Sequence, residues 1–480
     1  MTKLNVLQGI APKFAESAYI YRQFLGTFAS SLLSLSGGLV FGFTAVLLPQ
    51  LENDPYYQYD KAYDSWIASI SPLAMMMGCL FSGSMSDGLG RRAGQIVLVI
   101  PFTIGWLTMG FAKNNTIMLI GRFITGISTG AIRPNSIVYI GEITDPKYRA
   151  VALFAPSLLL HIGALMSHTI GKYVYWKTSC FIFALPNLLC ISILMCLMES
   201  PLWLLSKGKI EDGTKSFRQF RGTSEAAEKE LAKVLEKTKE ENEISAFKES
   251  VNLICSRPFM KSLATIFLLF VAVQWCGINT LSFYAQTIFE KTFAGDIDAY
   301  KLMLGTDGLR IFTAVVMCLL AKIIPRKTTF VVCCFITTTV LVGLVVYLYL
   351  NPKGMVWLAV TFMVLYIAIA SALTSISWSF VAEIFPAKVR GYGSGISSGM
   401  SFTLLFISVK VSPEIMWRFG EQVMYAGFAA SSLVSGILLY FIIPDTNGKT
   451  LQEIEDEMFK KEGPEKNTLK LQNLPANVPV

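Results

Sequence analysis

The chain has 480 residues, 53% of them hydrophobic and only 15% charged, and its mean hydropathy is +0.52. Soluble proteins carry about 25% charged residues, so this composition excludes an ordinary soluble globular protein and favours a membrane protein. The formal net charge of +8 needs no nucleic-acid partner, because the placement of Lys and Arg in loops between apolar segments reflects membrane topology.

Twelve apolar segments follow one another along the chain, each long enough to cross a bilayer as an α-helix of about 20 residues. They lie near 23–47, 65–86, 94–112, 117–140, 150–171, 177–197, 260–289, 302–323, 329–350, 355–383, 392–412 and 421–443. The seventh and tenth are long enough to tilt or break. A β-barrel would show alternating strands of about 10 residues instead. The sequence therefore predicts an all-α membrane protein with twelve transmembrane helices in two six-helix halves.

The loops between the predicted spans differ in charge. The loops after spans two, four, eight and ten are basic, with Arg91 and Arg92, Lys147 and Arg149, Arg326 and Lys327, and Lys388 and Arg390. The opposite loops are mixed or acidic. Because basic residues concentrate in cytoplasmic loops, we expect both termini in the cytoplasm. The first apolar run begins late and continues into a full span, so we expect no cleavable signal peptide. We further expect a multi-pass protein of the plasma membrane.

One long polar segment divides the chain. It is dense in Lys and Glu with apolar residues at helical spacing, which predicts short amphipathic helices on the cytoplasmic face. The predicted organisation is an N-terminal segment (1–22), a six-helix half (23–198), a linker (199–258), a second six-helix half (259–444) and a tail (445–480) whose end is disordered.

The sequence shows no sign of an enzyme. None of the nine cysteines forms a C-x-x-C pair of the kind that binds metals, and most lie inside predicted spans as small buried hydrophobic residues do. The phosphate-binding loop of a nucleotide-driven pump is absent from the sequence. We therefore expect no catalytic residue, metal or cofactor. The expected partners are a small-molecule substrate and the lipid bilayer, and the oligomeric state stays open.

Two blocks of one pattern stand at corresponding places in the two halves: a Glu that ends an apolar segment and an Arg seven positions later. Charges at a dehydrated membrane edge need partners, and Arg–carboxylate hydrogen bonds are strong. These blocks, with the basic loop after span two, are predicted to gate the cytoplasmic side. The alternative, that the basic residues only set topology, leaves the two Glu residues unexplained. The predicted gating residues are Asp87, Arg91, Arg92, Glu142, Arg149, Glu383 and Arg390.

Six short motifs occur in order along the chain: DGLGRR from Asp87, GRFITG from Gly121, ESPLWL from Glu199, QWCGIN from Gln274, EIFP from Glu383 and PDTNG from Pro444. Together they resemble the sugar porter family of the major facilitator superfamily, with the strongest likeness to insect facilitated trehalose and glucose transporters. The resemblance implies the fold of that superfamily, alternating access, and a hexose or disaccharide bound between the halves.

The resemblance also implies where a sugar binds. Gln274 and Asn279 match amides of the seventh span that hydrogen-bond sugar hydroxyls. Trp378 matches an indole that packs against the sugar ring, and Tyr284 matches an aromatic residue of the outer gate. An amide both donates and accepts hydrogen bonds, and an indole offers a flat apolar surface. These groups suit a sugar of the trehalose or glucose class.

Other positions depart from the family pattern. Ser157 and Arg310 stand where the family usually has Gln and Asn, and residues 372–377 replace a Gly-Pro-Gly-Pro run of the tenth span. Ser157 and Arg310 are nevertheless retained as candidate substrate-binding residues. Proton-driven members of the family carry an Asp in the first span where this chain has Thr44, which implies facilitated diffusion without proton coupling.

Ionisable residues inside predicted spans are expensive and are functional candidates. In this chain they include Arg133, Arg310, Lys410, His161 and His168. Two arginines near a cavity would suit an anion through bidentate hydrogen bonds. Asp307 could instead neutralise Arg310 from three residues away. Two alternatives to a sugar facilitator therefore stay open: a facilitator of an organic anion or other non-sugar solute, and a sugar sensor that transports little.

Overall fold

The structure, a computed structural model, describes residues 2–240, 256–293, 297–320, 324–350, 352, 354–385 and 390–443, with side chains for all of these except 2–17, 150, 237–240, 379, 382, 383, 390 and 391. Its helices are α1 (Thr2–Glu52), α2 (Asp64–Leu89), α3 (Arg91–Gly110), α4 (Asn115–Ile143), α5 (Pro146–Tyr173), α6 (Trp176–Met195), α7 (Pro201–Ser206), α8 (Ile210–Arg221), α9 (Glu225–Glu240), α10 (Arg257–Gln274), α11 (Ile278–Phe293), α12 (Ala299–Leu320), α13 (Arg326–Leu350), α14 (Val356–Glu383), α15 (Arg390–Phe419) and α16 (Glu421–Ile442). The predicted tail (445–480) lies outside the described residues.

The spans agree with the sequence prediction. Eleven stretches of the described residues are long and apolar enough to cross a membrane, and α10 and α11 together form one of them. The helix α4 is 29 residues long but more polar, because it contains Arg122 and Arg133. It packs against α1, α2 and α3 within the bundle. With α4 as the remaining span, the predicted all-α membrane fold is confirmed.

The two ends of the bundle differ. The helices α7, α8 and α9 lie at one end, which we call the linker side. Gln23 at the start of the first span donates a hydrogen bond of 2.5 Å to the carbonyl of Phe220 there. Tyr139 near the end of α4 donates one of 3.0 Å to the carbonyl of Met198. The opposite end, the far side, carries the loop 53–60, so each span runs between the two sides.

Glycine allows close helix packing in the N-terminal half. Where α1 crosses α5, a Cβ atom on Gly163 would lie 2.1 Å from the carbonyl oxygen of Leu35. A Cβ atom on Gly38 would lie 1.9 Å from the carbonyl oxygen of Leu160. Both obstacles are backbone atoms that cannot turn away. Small residues at such crossings let membrane helices approach closely, so these two glycines fix the distance between α1 and α5.

The seventh span is broken near its middle, between Gln274 and Ile278. The segment between α10 and α11 contains Gly277 with φ +87°, a conformation that favours glycine. A side chain at this position would also collide with the ring of Phe428, 2.2 Å from the Cβ site. The break supports the expectation for the long seventh segment. The tenth span, α14, is one continuous helix.

The two halves pack along three pairs of helices. These are α2 with α15, α5 with α12, and α1 with α11. Each pair takes one helix from each half, as expected for a fold in which the substrate site lies between two repeats. The contacts described next lie along these pairs.

Candidate substrate pathway

The halves are joined on the far side. His168 of α5 and Asp307 of α12 form a buried hydrogen bond of 2.5 Å between Nδ1 and Oδ2. Lys410 of α15 donates a hydrogen bond of 2.8 Å to Ser65 of α2. We call these two contacts the far-side contacts. Separating the halves at these helices would break both contacts.

The loop 53–60 on the far side is tied down by Asp54. Its Oδ2 accepts hydrogen bonds from the hydroxyl of Tyr175 (2.5 Å) and the indole of Trp176 (2.8 Å). Burial disfavours the charged carboxylate, but these hydrogen bonds outweigh burial and hold the pKa of Asp54 below its ordinary value. The charged form of Asp54 is therefore part of the closed far side.

A cavity of about 320 Å³ lies between the halves on the linker side. We call it the central cavity. Helices of both halves form its walls, with Arg133 from α4, Ser157 from α5, Trp378 from α14 and Ser398 from α15. Two of the predicted substrate-binding residues, Ser157 and Trp378, thus line the same cavity. The size is within the range of about 300–1,000 Å³ for small-molecule sites.

Trp378 is held on both sides. Its ring packs against Phe270, with 4.9 Å between ring centroids. The guanidinium of Arg133 lies 4.0 Å from the Trp378 ring centroid on the cavity side. Such cation–π contacts favour Arg over a Trp face. This contact between α4 and α14 crosses from one half to the other.

Gln274 and Asn279 are brought together by the break in the seventh span. Gln274 ends α10 and Asn279 begins the first turn of α11, and the Asn279 amide donates 2.8 Å to Gln274 Oε1. The Gln274 amide donates 2.9 Å to the hydroxyl of Ser401 in α15. These polar groups are mutually satisfied, and none of them lines the central cavity as described.

Arg310 is directed at the same break. Its guanidinium donates to the hydroxyl of Ser282 and, at 2.6 Å, to the carbonyl of Ile278. Tyr366 donates 2.7 Å to the carbonyl of Cys276. A break inside a membrane exposes backbone carbonyls that need donors. Arg310 and Tyr366 supply them, and Asp307 bonds His168 rather than Arg310.

Tyr284 lies at a second irregularity of the seventh span. Its backbone is non-helical (φ −130°, ψ 22°), and its side chain is buried. The hydroxyl has no hydrogen-bond partner in the part of the chain that the structure describes. The neighbouring Phe283 packs against Phe41 of α1 at 5.4 Å between ring centroids. The predicted outer-gate residue Tyr284 therefore lies in a non-helical segment, next to a contact between the two halves.

The predicted gating residues of the N-terminal half form a charge cluster on the linker side. Arg91 donates through Nε to both carboxylate oxygens of Glu142, at 3.2 and 3.3 Å. Its Nη1 donates 2.7 Å to Asp87. Ser200 also donates to Glu142. The cluster thus joins α2, α3 and α4 to the start of the linker, and all of these partners belong to the N-terminal half or the linker.

Arg149 and Arg92 have different partners from those that the sequence suggested. Among the described residues, Arg149 donates a long bond of 3.5 Å to the carbonyl of Thr144, and Arg92 donates to the carbonyl of Leu197 at 2.5 Å. The side chains of Glu383 and Arg390 lie outside the described residues. Arg221 of α8, which sequence reasoning missed, instead donates 3.5 Å to the backbone carbonyl of Glu142. Burial lowers the pKa of Arg221.

Glu199 is a second residue whose role sequence reasoning missed. Its two carboxylate oxygens accept the backbone N–H groups of Arg92 (2.8 Å) and Ala93 (3.0 Å) at the start of α3. A carboxylate at a helix N-terminus is favoured by the free N–H groups and the helix dipole. Gly90 makes room, because its φ is +106° and a Cβ there would lie 2.5 Å from Glu199 Oε2. In the sequence, Gly90 directly before α3 was the feature that could have indicated this contact.

Arg122 is fully buried in the N-terminal half. Its guanidinium donates to the hydroxyl of Thr44 at 2.5 Å, and to the carbonyls of Ile67 and Val40 at 3.1 and 3.2 Å. All three acceptors are neutral. Thr44 is the position where proton-driven relatives were expected to carry Asp.

These features agree with a comparison against known families. The model of the family described as "Sugar (and other) transporter" matches residues 25–459, nearly the whole chain. The chain belongs to the sugar (and other) transporter family. It is a member of the sugar porters of the major facilitator superfamily, as the motifs indicated, and it is a transporter rather than an enzyme.

Similar members of the family are insect proteins. The facilitated trehalose transporter Tret1 of Polypedilum vanderplanki is 28% identical over 451 residues, which cover 92% of this chain and 89% of the relative. Tret1 of Bombyx mori is 26% identical over 454 residues, which cover 92% and 87%. Among solved structures, the partially occluded inward-open xylose transporter XylE from E. coli aligns with a TM-score of 0.74 at 17% identity, covering 90% of this chain and 100% of XylE. The shared fold of this family is therefore the fold of the present chain.

Proposed function

We propose that this protein is a facilitative transporter of a sugar of the trehalose or glucose class, working by alternating access without proton coupling. The observation that carries the proposal is a cavity between the two halves on the linker side, combined with far-side contacts that join the halves on the other. Such an arrangement is expected of an end state in alternating access, which supports the proposal. The insect relatives are named as facilitated trehalose transporters, which supports the substrate class.

The proposed sugar contacts divide into two groups. In the central cavity, Trp378 offers the part of its indole ring that Arg133 leaves uncovered, and Ser157 offers a hydroxyl group. At the broken seventh span, Gln274 and Asn279 hold amide groups that can exchange their mutual hydrogen bond for sugar hydroxyls. Substrate would bridge the two groups as the halves close around it. Arg310 stays a weaker candidate, because its donors already serve the break.

The absence of proton coupling is proposed from Thr44. A proton-coupled carrier needs a carboxyl group that gains and loses a proton during transport. Here the buried Arg122 is bound by a hydroxyl and two carbonyl groups. A hydroxyl does not titrate near neutral pH, so Thr44 neither takes up nor releases a proton during transport. The solute gradient alone would drive transport.

We further propose that the linker side faces the cytoplasm of a cell whose plasma membrane holds the protein. The basic loops Arg91–Arg92 and Arg326–Lys327 lie on this side, and basic loops favour the cytoplasm. In this orientation the described state faces inward. The charge cluster around Glu142 would then stabilise the cytoplasmic ends of the helices, and the corresponding Glu383 and Arg390 would do so in the second half.

The test is sugar uptake by purified protein in proteoliposomes. Labelled trehalose and glucose are expected to enter saturably, and a protonophore is expected to leave the initial rate unchanged. Trp378→Ala is expected to weaken apparent affinity about two- to tenfold, since loss of an aromatic contact costs about 0.5–1.5 kcal/mol. Trp357→Ala, in the same helix but 64% exposed, is the matched control and should behave as wild type. Uptake of neither sugar above protein-free liposomes would refute the proposal.

A further inference from the structure

Arg133 is a basic residue of the central cavity that the sugar contacts do not explain. Its side chain lines the cavity, and its guanidinium lies over the ring of Trp378 at 4.0 Å. Among the described residues it has no hydrogen-bond acceptor and no carboxylate within salt-bridge distance. An arginine within a membrane span is expensive unless it is paired. Arg133 is therefore a candidate functional residue.

Three other basic side chains within the described spans have hydrogen-bond partners. Arg122 is bound by Thr44 and two backbone carbonyls. Arg310 is bound by Ser282 and the carbonyl of Ile278. Lys410 is bound by Ser65 on the far side. Of these four residues, only Arg133 both lines the central cavity and has N–H groups without a hydrogen-bond acceptor among the described residues.

Ionisable groups near Arg133 come from both halves. His161 of α5 lies within electrostatic range of Arg133, Arg310 and Asp307. The nearby carboxylate of Asp307 is engaged by His168 on the far side. The described side chains of the cavity wall include hydroxyl, apolar and basic groups but no carboxylate. Among the described side chains of this wall, an anion would meet the positive charge of Arg133 without a carboxylate beside it.

The contact with Trp378 prepares Arg133 for such a ligand. A guanidinium that stacks on an aromatic ring keeps the N–H groups along its edge free, and this edge matches the two oxygens of a carboxylate. Trp378 also restricts the orientation of the side chain, which reduces the ordering cost of binding. The hydroxyls of Ser157, Ser375 and Ser398 line the same cavity and suit the hydroxyl groups of a sugar.

We propose that Arg133 is a carboxylate-binding residue of the central cavity, and that the site accepts sugar acids of the uronate class. The sugar part of the ligand rests on the proposed function, whereas the carboxylate part rests on Arg133 alone. The carboxylate binds the edge of the guanidinium, and the sugar ring extends toward the serine hydroxyls. No covalent step is involved.

The test measures ligand binding to the full-length protein in detergent by calorimetry. D-glucuronate is expected to bind at least about tenfold more tightly than its uncharged methyl ester, since hydrogen bonds to charged groups are worth about a factor of 10 to 100 in affinity. This comparison uses wild-type protein and needs no variant. Arg133→Gln is expected to lose the same factor for glucuronate and to change glucose binding less than about threefold. Arg133→Lys, which keeps the charge without the planar fork, is expected to fall between them.

Arg218→Gln is the matched control, because Arg218 is an exposed residue of α8 that pairs with Glu228 outside the spans. It should bind glucuronate as wild type does. Equal binding of glucuronate and its methyl ester, or glucuronate binding that Arg133→Gln leaves unchanged, would overturn the proposal. Uptake of trehalose and glucose is measured separately. If the protein takes up neutral sugar but gives either of these two binding results, the anion site is refuted and the proposed sugar transport stands. Arg133-dependent glucuronate binding without neutral-sugar uptake would support the anion site and contradict the proposed function.

Discussion

Asp307→Asn is expected to shift the protein from the described state toward one that is open on the far side. Asp307 and His168 belong to different halves, and their hydrogen bond of 2.5 Å can exist only while the halves meet there. Asn is close in size to Asp, so the change removes the charge and leaves packing nearly intact. The variant therefore tests the contact rather than the fold.

The expected magnitude follows from burial. His168 is 0% exposed and Asp307 is 3% exposed, so solvent screens their contact little. A hydrogen bond to a charged group contributes about 1.5–3 kcal/mol, which corresponds to about a tenfold to hundredfold change in the ratio of the two states. The Lys410–Ser65 contact also involves a charged group, but it is only partly buried, so solvent screens it more and it contributes less than the His168–Asp307 contact. The His168–Asp307 pair therefore dominates the far-side contacts.

The assay is a distance measurement between spin labels on the far side. Labels at Tyr56 and Tyr349, which are 82% and 68% exposed, report on one half each. In a cysteine-free background, Asp307→Asn is expected to add a longer distance. Asp298→Asn, which changes an exposed carboxylate near the start of α12 that pairs with Lys301, is the matched control. Identical distance distributions in both variants would refute the role assigned to this pair.

Thr44→Asp is expected to make uptake respond to a proton gradient, because it sets a carboxyl group beside the guanidinium of Arg122; Thr44→Asn is the control, and equal responses in both would contradict this account. Glu199→Gln is expected to lower the free energy of unfolding by about 1–2 kcal/mol, since it removes the charge at the start of α3; an unchanged thermal midpoint would argue against capping. Gly163→Val is expected to cost about 3 kcal/mol or to prevent folding, because its Cβ would lie 2.1 Å from a backbone oxygen of α1. Gly305→Val, with no atom within 4 Å of the Cβ site, is the control and should elute from size-exclusion chromatography as the wild-type protein does. Equal yields of folded protein for both variants would disprove the packing argument.

Much of the fold was predictable because it depends on local chemistry. A span needs a long apolar run, and hydropathy alone locates most of them. The helix α4 shows the limit of this signal, since Arg122 and Arg133 reduce its apolar character although it lies within the bundle. The break in the seventh span was foreseeable from its length, but its exact place depends on Gly277 and the ring of Phe428.

The candidate site was predictable only in part. Family motifs pointed to Trp378 and Ser157, which do line the central cavity. The partner of Asp307 could not be read from spacing, because Arg310 is three residues away in sequence whereas His168 approaches from the other half. The contact of Arg133 with Trp378 likewise joins helices of different halves. Such pairings depend on how the halves pack, which one sequence does not reveal.

Entrance counterflow tests the central claim most directly. Proteoliposomes loaded with unlabelled trehalose or glucose are diluted into a trace of the same labelled sugar. A carrier that alternates between two states is expected to accumulate label transiently above the external concentration, with or without a protonophore. Label that only approaches the external concentration, or never enters, would contradict the account of this protein as an alternating-access sugar facilitator.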